Sequence, residues 1–155
     1  MPGHLNDKSL AALAPVSRQA ACEGIVLLEN REGALPLKPG ETVSLFGRCQ
    51  INTYRSGTGS GGAVNVPYAV NALEGLRANG SITVNEELAA VYESWIAEHP
   101  FDDGGGGWAA EPWFQPEMPL ADDVVRQAAA VSSKAVVFIG RTAGEDKDYA
   151  DSPGS

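Results

Sequence analysis

Residues 134–148 read KAVVFIGRTAGEDKD, and the way this stretch divides decides the fold. Ala135 to Ile139 is an unbroken apolar run rich in β-branched residues. It is short enough for a strand buried on both faces, the pattern of a parallel sheet. Gly140 stops it, and Arg141, Glu145, Asp146 and Asp148 follow within eight residues. In open α/β sheets, ligands sit in the crevice beyond the carboxyl ends of the strands. A buried strand that delivers carboxylates to that edge is the strongest functional signal of the chain; a solvated acidic loop is the plainer alternative.

Working outward, the preceding elements alternate. Val43 to Phe46 is a strand stopped by Gly47, and 48–66 is polar and glycine-rich. Pro67 suits the first turn of a helix carrying Val70, Leu73 and Leu76 on one face. Asn79-Gly80 ends it, and Ser81 to Val84 forms the next strand. Glu86 to His99 is helical, with Leu88, Val91, Tyr92, Trp95 and Ile96 on one side, and His99 caps its carboxyl end. An irregular segment with four glycines, Trp108, Trp113 and Phe114 spans 100–119. Leu120 to Val131 is helical again, with aspartates in its first turn. The order predicts parallel strands joined by right-handed crossovers. The fold class is therefore α/β, a three-layer α/β/α sandwich with a mainly parallel, flavodoxin-like sheet, of which only part is expected here because no helix follows the third strand. At the other end, Leu10 to Ala21 gives helical spacing interrupted at Pro15, and Ile25 to Leu37 reads as a short ribbon. The expected organisation is an N-terminal helix and β-ribbon over 1–42, then the first half of the sandwich over 43–155.

Composition narrows the functions. The 155 residues carry a net charge of −9 without any basic cluster, which argues against nucleic acid and anionic membrane as partners. Apolar stretches are too short to span a bilayer, and the first twenty residues lack the pattern of a secretory leader. Two cysteines without ligand spacing imply neither a metal nor a disulfide framework and favour a reduced, cytoplasmic setting. Gly57, Gly59 and Gly62 fit GxGxxG, but nine residues separate Gly47 from Gly57 and no acidic residue stands at the end of the second strand. A nucleotide-binding domain is thus the weak alternative, and no cofactor is expected. For Trp108 and Trp113 two readings are open: a lid over the core, or a flat face offered to a ligand ring.

Several stretches together resemble the sandwich domain of family 3 glycoside hydrolases, the β-glucosidase group: AACEGIVLLENREGALPL (20–37), VSLFGR (43–48), SGTGSGGAVNV (56–66), NALEGLR (71–77) and VVFIGRTAGEDKDYADSPGS (136–155). In most members this domain follows a barrel. Here EGIVLLEN begins near residue 23, and the GGGGW and EPWFQPEMPL segments also resemble the subgroup in which the sandwich comes first. The resemblance implies an N-terminal fragment with the catalytic barrel downstream as its partner, a carbohydrate substrate, and hydrolysis of terminal β-linked sugars with retention. Retention needs two carboxyl groups roughly 5 Å apart, one a nucleophile and one an acid that later serves as base. The family draws the nucleophile from the barrel and a glutamate acid/base from the loop after the third strand, in a glutamate-x-x-aspartate spacing. Glu145 and Asp148 hold those places, and Asp146 and Tyr149 stand where the family has glycine and arginine. Arg141, Asp148, Trp108 and Trp113 are the candidate substrate contacts. The isolated fragment is expected to be inactive, and a non-catalytic sugar-binding or interaction module of the same fold is the other reading.

Overall fold

A computed structural model describes residues 7–54, 66, 68–106 and 109–140, the side chains of 7–10 excepted. The chain divides into two compact units, Met1–Pro36 and Leu37–Ser155.

In the first unit a single helix, α1, spans Asp7–Gly24. Pro15 lies inside it: the missing N–H removes one helical hydrogen bond without ending the helix, where the sequence predicted two segments. The ribbon predicted over 25–37 does not form. Among the described residues Ile25 to Leu28 pair with no strand; they are exposed, and Arg31–Gly33 make one 3₁₀ turn. Asn30 replaces strand pairing as the organiser of that turn. Its amide Nδ2 donates to the Leu35 carbonyl at 2.8 Å, and its Oδ1 accepts from the Leu35 N–H at 3.0 Å.

The second unit is built on a three-stranded parallel sheet of β1 (Thr42–Phe46), β2 (Thr83–Val84) and β3 (Lys134–Val137), in the order β2-β1-β3. Thr42 pairs with Thr83 on one side of β1, and Val43 to Phe46 pair with Lys134 to Val137 on the other. Between β1 and β2 lies α2 (Ala72–Asn79); α3 (Glu86–Glu98) and α4 (Asp122–Val131) lie between β2 and β3. The predicted parallel α/β order is therefore the observed one.

Helices cover both faces of the central strand. Val43 and Leu45 bury against Leu73 of α2, at 0–2% exposure, where each side chain of this size contributes about 1.5–3 kcal/mol by leaving water. Ser44 and Phe46 turn the other way, toward α3 and α4. The buried Ser44 hydroxyl lies 2.6 Å from the Ser132 hydroxyl and accepts from Asn85 Nδ2 at 3.0 Å. Asn85 also caps α3, its Oδ1 accepting from the Leu88 N–H at 3.2 Å. One buried amide thus ties the start of α3 to β1 and, through Ser132, to the end of α4, and every buried polar group it touches gains a partner.

Helix starts follow side-chain chemistry more closely than apolar pattern. α2 begins at Ala72 rather than near Pro67, because Asn71 and Glu74 form a reciprocal capping box. It ends at the Asn-Gly pair, as predicted, with Gly80 as a left-handed cap at φ 70°.

Candidate functional site at the carboxyl edge of the sheet

The carboxyl ends of β1 and β3 lie side by side, and both finish in strand-Gly-Arg: Phe46-Gly47-Arg48 and Ile139-Gly140-Arg141. The pairing continues past the strands, the Phe138 N–H donating to the Phe46 carbonyl at 2.8 Å. Gly47 is required twice over. Its φ of 91° is one that L side chains rarely adopt, and a Cβ on it would stand 2.1 Å from the Phe138 carbonyl oxygen. Its N–H donates to the Tyr92 hydroxyl at 2.9 Å, so α3 holds the turn from below. Burial pushes the Tyr92 phenol above its ordinary range, which keeps it neutral.

Beyond Gly47 the chain makes a 3₁₀ turn, Arg48–Gln50, in which all three residues are buried. The Arg48 guanidinium is spent on structure. Nη1 donates to the Pro116 carbonyl at 2.9 Å, and Nη2 donates to Asn52 Oδ1 at 2.9 Å and to the His99 carbonyl at 2.8 Å. Its Cζ lies 5.2 Å from the centre of the Trp95 ring, within cation–π range. The main-chain N–H of Arg48 donates to Glu117 Oε2 at 2.8 Å. Gln50 Nε2 donates to the carbonyls of Leu45 and Gly47, each at 3.1 Å. His99 stacks on Trp95, and its Nδ1 lies 2.8 Å from the Trp95 carbonyl; a carbonyl only accepts, so Nδ1 carries the proton.

These bonds draw the 100–119 segment over the edge. Gln115, 3% exposed, pairs with the main chain of Asp102 as a strand residue would, accepting from its N–H and donating to its carbonyl, both at 2.8 Å. The resulting pocket, about 480 Å³, opens between the ends of β1 and β3 and this segment. Phe46, Tyr92, Phe114, Met118 and Ile139 form its mainly apolar wall, with Glu117 at the rim. Its size falls within the roughly 300–1,000 Å³ of small-molecule sites. Burial and the neighbouring Glu117 carboxylate push the Cys49 thiol up, so at neutral pH it is a packing group rather than a nucleophile. Among the described residues no three His, Cys, Asp or Glu side chains come together as metal ligands.

Of the residues singled out in the sequence, Trp113 is half-buried and its neighbour Phe114 lines the pocket. Glu145, Asp148, Arg141 and Trp108 lie outside the described residues, as does the glycine run at 57–62. Arg48, Gln50 and Gln115 were not anticipated. Polar residues that enter a core leave no periodic trace, although the repeated strand-Gly-Arg ending is a signal that sets Gly47 and Gly140 apart.

Comparison with known proteins matches this architecture. Residues 25–153 match the glycosyl hydrolase family 3 C-terminal domain, and the chain belongs to that family. A beta-glucosidase of Ruminococcus albus is 47% identical over 133 residues, spanning 86% of this chain and 14% of that protein. Beta-glucosidase A of Butyrivibrio fibrisolvens is 34% identical over 134 residues, spanning 86% of this chain and 15% of its own length. The crystal structure of a beta-glucosidase from Paenibacillus barengoltzii superposes on the whole chain with a TM-score of 0.92 at 64% identity, over 16% of its own length. Beta-glucosidase 3B from Thermotoga neapolitana in complex with alpha-D-glucose gives 0.78 at 34% identity, over 94% of this chain and 20% of its own. The chain spans about one-seventh of the curated relatives it matches.

Proposed function

We propose that this chain is the sandwich portion of a retaining β-glucosidase that cleaves terminal β-linked sugars, with Glu145 as the general acid/base and a barrel elsewhere in the polypeptide supplying the nucleophile. The observation that carries the reading is where the chain leaves the sheet: at Gly140, on the lip of the pocket. Five residues span at most about 18 Å when extended, which is the greatest distance that can separate Glu145 from Gly140. Relatives at 34–64% identity are beta-glucosidases, and they match 86–100% of this chain.

The division of labour suits the chemistry. A retaining glycosidase needs an acid that protonates the departing oxygen and then, as base, activates water against the glycosyl-enzyme. In this reading the nucleophile lies with the sugar ring in the barrel, while the acid arrives from a second body on the leaving-group side. The wall of Phe46, Phe114 and Met118 is apolar, and a carboxyl group buried against such a wall in the whole enzyme would hold its proton more firmly. Asp148 and Arg141 are the substrate contacts or loop-fixing groups of the same reading, and Trp108 and Trp113 supply ring faces.

The experiment uses the whole enzyme and leaving-group chemistry. Dinitrophenolate departs without a proton, so Glu145→Ala should still be glycosylated but stall before hydrolysis, giving a burst, and added azide should restore turnover. Asp146→Ala should show neither effect. Azide rescue of Asp146→Ala in place of Glu145→Ala moves the assignment by one residue, and rescue of neither removes the acid/base from this loop.

A further inference from the structure

The segment that follows β3 departs through a point with no room for a side chain. A Cβ on Gly140 would stand 2.1 Å from Cys49 Sγ, 3.2 Å from Cys49 Cβ and 3.1 Å from Tyr54 Cδ2. Gly140 does not have a positive φ, unlike Gly47. Glycine is needed here for proximity alone, not for backbone conformation.

What Gly140 rests on is rigid. Cys49 is 7% exposed, in the middle of the 3₁₀ turn whose other two members are also buried. Its carbonyl accepts from the Thr53 hydroxyl at 2.9 Å, and its neighbours Arg48 and Gln50 are fixed by the five side-chain hydrogen bonds described above. Tyr54, the other wall, meets the Phe101 ring edge-on at 5.5 Å. The seat is thus anchored to β1 and to the 100–117 segment at once, and it fixes the last described residue before the carboxylate loop.

We propose that Cys49 is a positioning residue for the acid/base: its buried side chain, seated against Gly140, fixes the point of the sheet edge from which the chain runs on to Glu145. This rests on the reading of Glu145 given above. A side chain on Gly140 has to move about 1 Å or more to reach the 3.4 Å of ordinary contact, and misplacement of a catalytic group on that scale costs about 100-fold in rate. Loss of an acid falls selectively on substrates whose leaving group needs a proton, whereas general damage to the fold falls on all alike.

The test compares phenyl and 2,4-dinitrophenyl β-glucosides in the whole enzyme through kcat/KM, which reports transfer of the sugar to the nucleophile. Gly140→Ala should lower kcat/KM for the phenyl substrate by about 100-fold and for the dinitrophenyl substrate far less. Cys49→Ala/Gly140→Ala removes the sulfur, leaves the milder contacts of 3.1 Å with Tyr54 Cδ2 and 3.2 Å with Cys49 Cβ, and should recover most of the loss. Cys49→Ala alone loosens the seat and should shift the ratio of the two substrates in the same direction, so the inference stays open to refutation where Gly140→Ala does not fold. Equal losses on both substrates, an absent rescue, or an unchanged ratio in Cys49→Ala overturns it. Adding Gly140→Ala to Glu145→Ala should not change the ratio further. A changed ratio for Gly140→Ala beside an unchanged one for Glu145→Ala would retain the positioning role and reject Glu145 as the acid.

Discussion

Gly47→Ala should be the most damaging single methyl group that can be added to this sheet. The φ of 91° and ψ of 135° at Gly47 belong to a region almost reserved for glycine, at about 1–3 kcal/mol for any other residue. The new Cβ would also stand 2.1 Å from the Phe138 carbonyl, a backbone atom of the neighbouring strand that cannot rotate away. Relief requires β1 and β3 to part, at about 1–3 kcal/mol for overpacking and about 0.5–1.5 kcal/mol for the strained Phe138–Phe46 hydrogen bond. Together these reach about 2.5–7.5 kcal/mol against a typical stability of 5–15 kcal/mol. Urea unfolding of the 155-residue chain, followed by Trp fluorescence and far-UV circular dichroism, should show the midpoint fall by about 1 M or more at an ordinary slope of 1–3 kcal/mol per M. Two controls separate the causes. Gly80→Ala meets open space at φ 70°, so it should cost only the left-handed penalty of about 1–2 kcal/mol. Gly24→Ala meets open space at the end of α1 without positive φ, and should be neutral or up to about 1 kcal/mol stabilising. A Gly47→Ala midpoint equal to or above that of Gly80→Ala would refute the close approach of β1 and β3.

Two further outcomes concern protonation and buried partners. Arg77 hydrogen-bonds to Glu86 and holds its carboxyl below the usual range, so this stabilisation is present above the ordinary value of 4.5 and lost as pH falls through the lowered one. Glu86→Gln should therefore cost about 0.2–1 kcal/mol at pH 7 and nothing at strongly acid pH, measured as paired urea midpoints. Tyr92→Phe should cost about 1–3 kcal/mol by leaving the Gly47 N–H unpaired. Because burial raises the native Tyr92 pKa above 10, its contribution holds below that pH and is lost as pH rises through the raised value; the variant should show a flatter alkaline decline.

What could be read in the sequence was what has a period or a run. The apolar stretches around Leu45 and Val136, and the helical stripe of Leu88, Tyr92 and Trp95, lead directly to strands and helices in the observed parallel order. The run at 135–139 is not buried on both faces as its composition predicts: β3 lies at the edge of the described sheet, with Val137 63% and Ile139 89% exposed. The failures have physical causes. The Pro67 signal gave way to the stronger one of Asn71 and Glu74, whose reciprocal hydrogen bonds fix the helix start. Ile25 to Leu28 have the composition of a strand but no partner strand among the described residues, and a strand exists only by pairing. Arg48 and Gln115 have the composition of surface residues, and only the three-dimensional supply of carbonyls at Pro116, His99 and Asp102 makes their burial tolerable. The carboxylates after Gly140 were conspicuous as a cluster, yet their spacing alone did not choose among three of them. The family pattern, not geometry, favours Glu145.

The pH dependence of kcat/KM for 2,4-dinitrophenyl and phenyl β-glucosides tests the central claim most directly, in the whole enzyme and in its Glu145→Gln variant. If Glu145 is the acid, the wild-type rate on the phenyl substrate declines at alkaline pH as that group loses its proton. Glu145→Gln should abolish this alkaline limb while keeping the acid limb of the nucleophile, and should lose far more activity on phenyl than on dinitrophenyl glucoside. An alkaline limb that survives unchanged in Glu145→Gln, with equal losses on the two substrates, would contradict the account.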